Sequence, residues 1–205
     1  DAELIDGDNF SEFAKIIDYI GIDELESWGL ILTNLVYSPQ INWFVKNVKM
    51  NEKFSKEYIT SMLVDSGTNE RAANDIFRSF VRFVELPFAE VGMGFSEKEK
   101  NRVISVTRTP WQNPDPRVIL YSLYKFAENC GDYYQFTLSR LLNHEIDSDG
   151  VSPTEIFGLD REQMEKILNG LSVNYPEFIA VSFTLDLDNI TLRNDKASKD
   201  VLELF

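Results

Sequence analysis

The sequence predicts a mainly α-helical chain with small β-hairpins, an α+β class, organised as two winged helix-turn-helix-like units joined by helices. Three observations predict it. Apolar residues recur at helical spacing over most of the 205 residues. Short Gly, Pro and Ser clusters break that periodicity at regular intervals. The order helix, short turn, helix, hairpin then occurs twice, once after Ser55 and again after Ser152.

Taken in order, Asn9 to Ile20 sets Phe10, Phe13, Ile16, Ile17 and Ile20 at helical spacing, and Gly21 stops the run. Asp23 to Tyr37 reads as a second helix with Trp28, Ile31, Leu32, Leu35 and Val36 inward. Ser38-Pro39 breaks it, and Ile41 to Val48 follows as a short apolar helix holding Trp43 and Phe44. These aromatics read as core. Residues 1–54 thus form an N-terminal helical segment.

Residues 55–109 read as the first winged unit. Ser55 caps a helix through Asp65, Ser66-Gly67 is a tight break, and Thr68 caps a longer helix to about Glu85. Pro87 ends that helix; Phe88 to Met93 is expected as a strand, Gly94 to Lys100 as a charged turn and Arg102 to Arg108 as the return strand. Residues 110–205 hold a connector marked by Pro110, Pro114 and Pro116, then helices over Arg117–Asn129 and Tyr133–Asn143. The second unit follows. Ser152-Pro153 opens a short helix ended by Gly158, and Asp160 caps another ended by Tyr175-Pro176. Phe178 to Leu185 alternates as a strand, Asp186 to Asn189 turns, and Ile190 to Leu192 returns. The two units share architecture and little residue identity. A terminal helix, Ser198 to Phe205, folds back on the core.

Composition narrows the function. An apolar share of 43 % and an aromatic share of 13 % belong to a folded chain and not a disordered one. No stretch approaches the roughly 20 apolar residues of a membrane span, so no membrane contact is expected. A single cysteine, Cys130, excludes an internal disulfide and fits a reducing, cytoplasmic setting. The opening Asp1-Ala2-Glu3-Leu4, without a starter Met, reads as a piece of a longer protein. The net charge of −14 is unevenly spread. Residues 1–54 carry ten acids and four bases, residues 145–205 carry thirteen and five, and residues 55–144 carry eleven of each. An anion-binding surface therefore belongs in the middle, with acidic ends that are solvated or dock a basic partner.

Enzyme motifs are missing. Gly92-Met93-Gly94 lacks the Lys and helix start of a phosphate loop, and Asp147-Ser148-Asp149-Gly150 lacks the later ligands of a calcium loop. His144 reads as a helix C-cap or a solvated residue, and Cys130 as a small buried one. No catalytic residue, metal site or cofactor is expected. An enzyme would need a pocket where carboxylates converge with His144 or a Lys.

The useful signal is basic. Arg71, Asn74, Arg78 and Arg82, spaced by three, four and four, share one helix face opposite Phe77 and Phe80. Lys98 and Lys100 are expected in the hairpin turn, with Arg102 and Arg108 on its return strand. Arg grips phosphate or guanine and Asn pairs with adenine, so duplex DNA is the partner these residues fit. Glu70, Asp75, Glu97 and Glu99 neutralise the same segment, which also reads as an ordinary solvated face with ion pairs. The second unit exposes Asp160, Glu162, Glu165 and the turn Asp186-Leu187-Asp188-Asn189, and reads as a protein-docking or packing unit.

The run from Gly150-Val151-Ser152-Pro153 through Ile156-Phe157-Gly158-Leu159-Asp160 to Tyr175-Pro176-Glu177-Phe178-Ile179, with Trp28-Gly29-Leu30 and Asn42-Trp43-Phe44-Val45, carries a family likeness. It resembles an uncharacterised bacterial domain associated with or fused to phosphoadenosine phosphosulfate (PAPS) reductase-like proteins, some of them from DNA phosphorothioation and phage-defence systems. The likeness rests on diffuse apolar patterns. It implies an accessory module that helps a sulfur-modification or defence assembly engage DNA or a reductase-like partner. The Ser-Gly-Gly-x-Asp nucleotide loop of the reductase-like domain has no counterpart here. Three functions follow as expectations: a non-enzymatic DNA-binding accessory module, a protein-interaction domain docking a basic partner, and a DNA-nicking nuclease.

Overall fold

The computed structural model describes residues 2–145, 148–183 and 188–205. It is an α+β fold, about half helix, with small antiparallel sheets. A two-residue hairpin, β1 (Ile5–Asp6) and β2 (Asn9–Phe10), precedes α1 (Glu12–Ile20). The helix starts later than its periodicity predicts because Ser11 is the cap, its hydroxyl accepting from the Ala14 amide at 3.0 Å. Then come α2 (Leu25–Leu35) and α3 (Pro39–Asn47). Gly29 sits mid-helix in α2, where glycine costs about 1 kcal/mol against alanine. A Cβ there would lie 2.7 Å from the Trp111 ring, so the close approach of the connector requires it.

Two segments then share an outline of helix, short strand, helices and hairpin, with one helix more in the second. The first runs α3, β3 (Lys53–Ser55), α4 (Lys56–Asp65), α5 (Glu70–Phe83), a 3-10 turn (Phe88–Val91), β4 (Phe95–Glu99) and β5 (Arg102–Thr107). The second runs α6 (Pro116–Asn129), β6 (Gln135–Phe136), α7 (Leu138–Leu142), α8 (Pro153–Phe157), α9 (Arg161–Asn174), β7 (Ile179–Phe183) and β8 (Asp188–Leu192). Strand order is β3-β5-β4 in one sheet and β6-β8-β7 in the other, so each hairpin's return strand is central and the short early strand flanks it. The chain closes with α10 (Ser198–Val201) and a 3-10 turn (Leu202–Leu204), shorter than the single helix expected.

Four expectations are corrected. Phe88 to Met93 is not a strand: Phe88, Val91 and Met93 are buried from a 3-10 turn that Gly92 closes. Most of the charged turn at Gly94 to Lys100 is strand β4, paired Phe95 with Thr107 through Glu99 with Arg102. The loop itself is only Lys100-Asn101, both at positive φ, a tight connection that suits the strands' twist. Gly94, at φ +102°, has no room for a side chain, since a Cβ would overlap the Thr107 carbonyl oxygen. Tyr133 to Asn143 is not one helix: Phe136 pairs with Ile190 in β6, and Thr137 starts α7 as its cap. The cap of α5 is Asn69 and not Thr68, its side chain accepting from the Ala72 amide at 2.9 Å. The turn predicted at Asp186 to Asn189 lies partly outside the described residues, and Asp188 and Asn189 belong to β8.

The buried core is shared. Leu30, Phe44, Phe80, Val106, Leu120, Phe157 and Leu168 all belong to one cluster. Strand β3 spans the boundary placed after residue 54 and pairs Lys53 with Thr107. Buried polar contacts tie the segments together. Tyr121 donates to Asn34 Oδ1 at 2.8 Å, and the Trp111 amide donates to the Phe157 carbonyl at 2.8 Å. Among the described residues no helix is long and apolar enough to cross a membrane.

Candidate nucleic-acid interface

Helix α5 is amphipathic because Ala73, Phe77 and Phe80 recur at i, i+4 and i+7 and are buried. The opposite face carries Arg71, Arg78 and Arg82, all exposed, with Asn74 half-buried among them. Asn74 turns its amide back to the Glu70 carbonyl at 2.9 Å. Arg78 pairs with Asp75 at 2.8 Å, and Lys98 with Glu85 at 3.2 Å. The second pair brings β4 beside the C-terminal end of α5. Lys53 pairs with Glu97 and holds its carboxyl below the usual carboxylate range. Arg71, Arg82, Lys100 and Arg102 are exposed and have no ion pair among the described residues. Six of the eight predicted residues therefore carry charge to the surface of this unit.

Arg108 does not, and its assignment to a DNA-facing surface is corrected. It is 1 % exposed. Its Nη1 donates to the Val45 and Val48 carbonyls at 2.7 and 3.2 Å, and its Nη2 to the Glu155 and Ile156 carbonyls at 2.9 and 3.0 Å. These carbonyls end α3 and α8, where helices leave acceptors unpaired and carry partial negative charge. Burial pushes the guanidinium down to about 10, against a smaller opposing effect of Glu155, so it remains charged at neutral pH. The geometry of a hairpin predicts this position: residue 108 lies six residues past 102, roughly 20 Å along the strand from the tip.

Beside Arg108 lies a cleft of about 690 Å³ that the sequence does not reveal, lined by Lys46, Lys49, Glu52, His144, Glu145 and Glu155 among others. His144 is not a simple cap. Its Nε2 is 2.9 Å from Thr154 Oγ1, which also bonds Ser152 Oγ and the Leu141 carbonyl. Burial, and then the Arg108 charge, lower the His144 pKa. Burial raises that of Glu155 against the pull of Lys46, Arg108 and Arg140. Among the described residues no group of three or more His, Cys, Asp or Glu side chains is placed to hold a metal ion.

The corresponding helix of the second segment, α9, opens with a capping box between Asp160 and Gln163. Its one arginine, Arg161, is taken up by Glu165 at 3.1 Å and Asp188 at 3.4 Å. Glu162, Lys166 and Asn169 are exposed beside it.

Comparison with family models, curated proteins and solved structures returned no match for this chain. Its fold and surface define a class only: an α+β protein with two helix-strand-helix-hairpin segments around one core, one with an arginine face on its outer helix and the other with acids and bases in balance there.

Proposed function

We propose that the two segments are winged-helix units and that the chain is a non-enzymatic accessory module in which the first unit binds duplex DNA. The carrying observation is the face of α5, where Arg71 and Arg82 are exposed with no ion pair among the described residues, beside a hairpin bearing Lys100 and Arg102. The shared strand orders, β3-β5-β4 and β6-β8-β7, support the winged-helix reading. In it α5 enters the major groove and the Lys100-Asn101 loop reaches the backbone. The resemblance to domains that accompany PAPS reductase-like proteins supports a place in DNA sulfur modification or phage defence, in the cytoplasm.

Fluorescence anisotropy with a labelled duplex across a salt series tests the proposal. If Arg71, Arg78, Arg82, Lys98, Lys100 and Arg102 each neutralise a phosphate, log Kd against log salt has a slope of about 5. A flat salt response, or affinity unchanged by Arg71→Glu with Arg82→Glu, rejects it.

The cleft favours a second reading, hydrolytic chemistry such as DNA nicking, because it brings His144 and Glu155 together with Lys46 and Lys49. Plasmid nicking that is lost on Glu155→Gln would support that reading over the first.

A further inference from the structure

We propose that the groove between α1 and the N-terminal hairpin is a docking site for a basic, amphipathic helical segment of a partner protein. This inference does not depend on DNA binding by α5. The groove, of about 400 Å³, is lined by apolar Leu4, Phe10, Ala14, Ile17 and Ile22 and by charged Lys15 and Asp18. Phe10 is 74 % and Ile22 51 % exposed, and Ile5 and Tyr19 nearby in the chain are exposed as well. Four of the ten large apolar side chains left open to solvent thus fall within the first 22 residues. Scattered exposed apolar residues are ordinary, but Phe10 and Ile22 line one groove together, and such a grouping marks a contact surface.

The charge around the groove selects the occupant. Residues 1–26 hold nine acids and one base. That base, Lys15, is already paired with Glu12. Asp6, Asp8, Asp18, Asp23 and Glu24 are exposed and have no ion pair among the described residues. A second copy seated on the same face sets this acidic N-terminal segment against itself, since a two-fold contact joins the same patch of both copies. DNA and anionic lipid meet the same repulsion. A helix with apolar residues at i, i+3, i+4 and i+7 and Lys or Arg between them satisfies both the groove and this acidic segment.

The probe is a labelled 14-residue peptide of Leu and Lys at that spacing, titrated into the full chain, with a matched Leu and Glu peptide as control. Amide shifts are expected to cluster at Leu4, Phe10, Ala14 and Ile22, and the Glu peptide to bind at least tenfold more weakly. Phe10→Ser with Ile22→Ser, at two exposed positions, lowers affinity for the Lys peptide at least tenfold while circular dichroism stays unchanged. Arg71→Glu with Arg82→Glu leaves peptide binding as it was, which separates this site from the DNA surface. Equal affinity for the two peptides overturns the proposal, as do shifts centred outside residues 2–26. So does a dimer in sedimentation that Phe10→Ser with Ile22→Ser dissolves, because the occupant is then a second copy.

Discussion

Helices α5 and α9 have the same length, fourteen residues, and the same place in their segments, between a capped turn and a hairpin. They differ in what their outer faces do with charge. On α5, Arg71 and Arg82 are exposed and have no ion pair among the described residues, while Arg78 is engaged by Asp75 at 2.8 Å. On α9, Arg161 is held twice, by Glu165 and by Asp188 of the neighbouring strand, and Glu162 lies open beside it. Similar backbone arrangements therefore leave two arginines unpaired on one outer helix and, on the other, hold its arginine in ion pairs while Glu162 and Lys166 balance each other. Architecture alone does not assign function.

The largest expected effect comes from breaking what joins the two segments. Arg108→Leu leaves four carbonyls at the ends of α3 and α8 without a donor. It should cost about 3–5 kcal/mol in urea unfolding, the range for removing one partner of a buried charged network. Arg108→Lys keeps the charge but cannot reach both helix ends, and should fall between the two.

Next in size is the contrast in DNA affinity. Arg71→Glu with Arg82→Glu should weaken duplex binding about 100-fold and reduce the salt slope by about 2, as the loss of two phosphate contacts requires. The mirror change on the other helix, Lys166→Glu, should leave anisotropy titrations unaltered.

A smaller effect sharpens the difference within α5 itself. Asp75→Asn releases Arg78 from its exposed pair. Because such pairs contribute about 0–1 kcal/mol, stability should barely move while DNA affinity rises severalfold.

The smallest concerns the cleft between the segments. His144, exposed overall but with its ring against Thr154 in the cleft, has a lowered pKa in the fold because partial desolvation and then the Arg108 charge disfavour its charged form. In the unfolded chain it gains its proton first as pH falls. Stability is therefore complete above the ordinary histidine value near 6.5 and declines as pH drops through the lowered folded value. Denaturant midpoints measured between pH 7.5 and 5 should show this decline, and His144→Asn should flatten it.

Local signals placed most helices and several of their caps. Ser55 caps α4, Asp160 caps α9, Gly158 ends α8, and the arginine face of α5 follows from spacings of three and four. These depend on contacts within one or two helical turns, which periodicity and cap chemistry report directly. Strands β3, β4 and β6 were not legible. Phe95-Ser96-Glu97-Lys98-Glu99 reads as a charged turn, and becomes a strand only because Val103, Ser105 and Val106 pair with it across the hairpin. Gln135-Phe136 depends likewise on Thr191 and Ile190, more than fifty residues away. Strand identity resides in the partner, and no local window contains it.

The sequence by itself determined the α+β class, the order of the main helices, the charge asymmetry and the exposed basic face of α5. Only the tertiary structure decided what each charge does. It set Lys98 against Glu85 and Arg161 against Asp188, and it gathered His144, Glu155 and Lys46 into one cleft. It also withdrew Arg108 from the surface to close the ends of two helices 60 and 48 residues away in the chain. Residue type sets which charge is present, but its partners and its distance from water are properties of the packed chain.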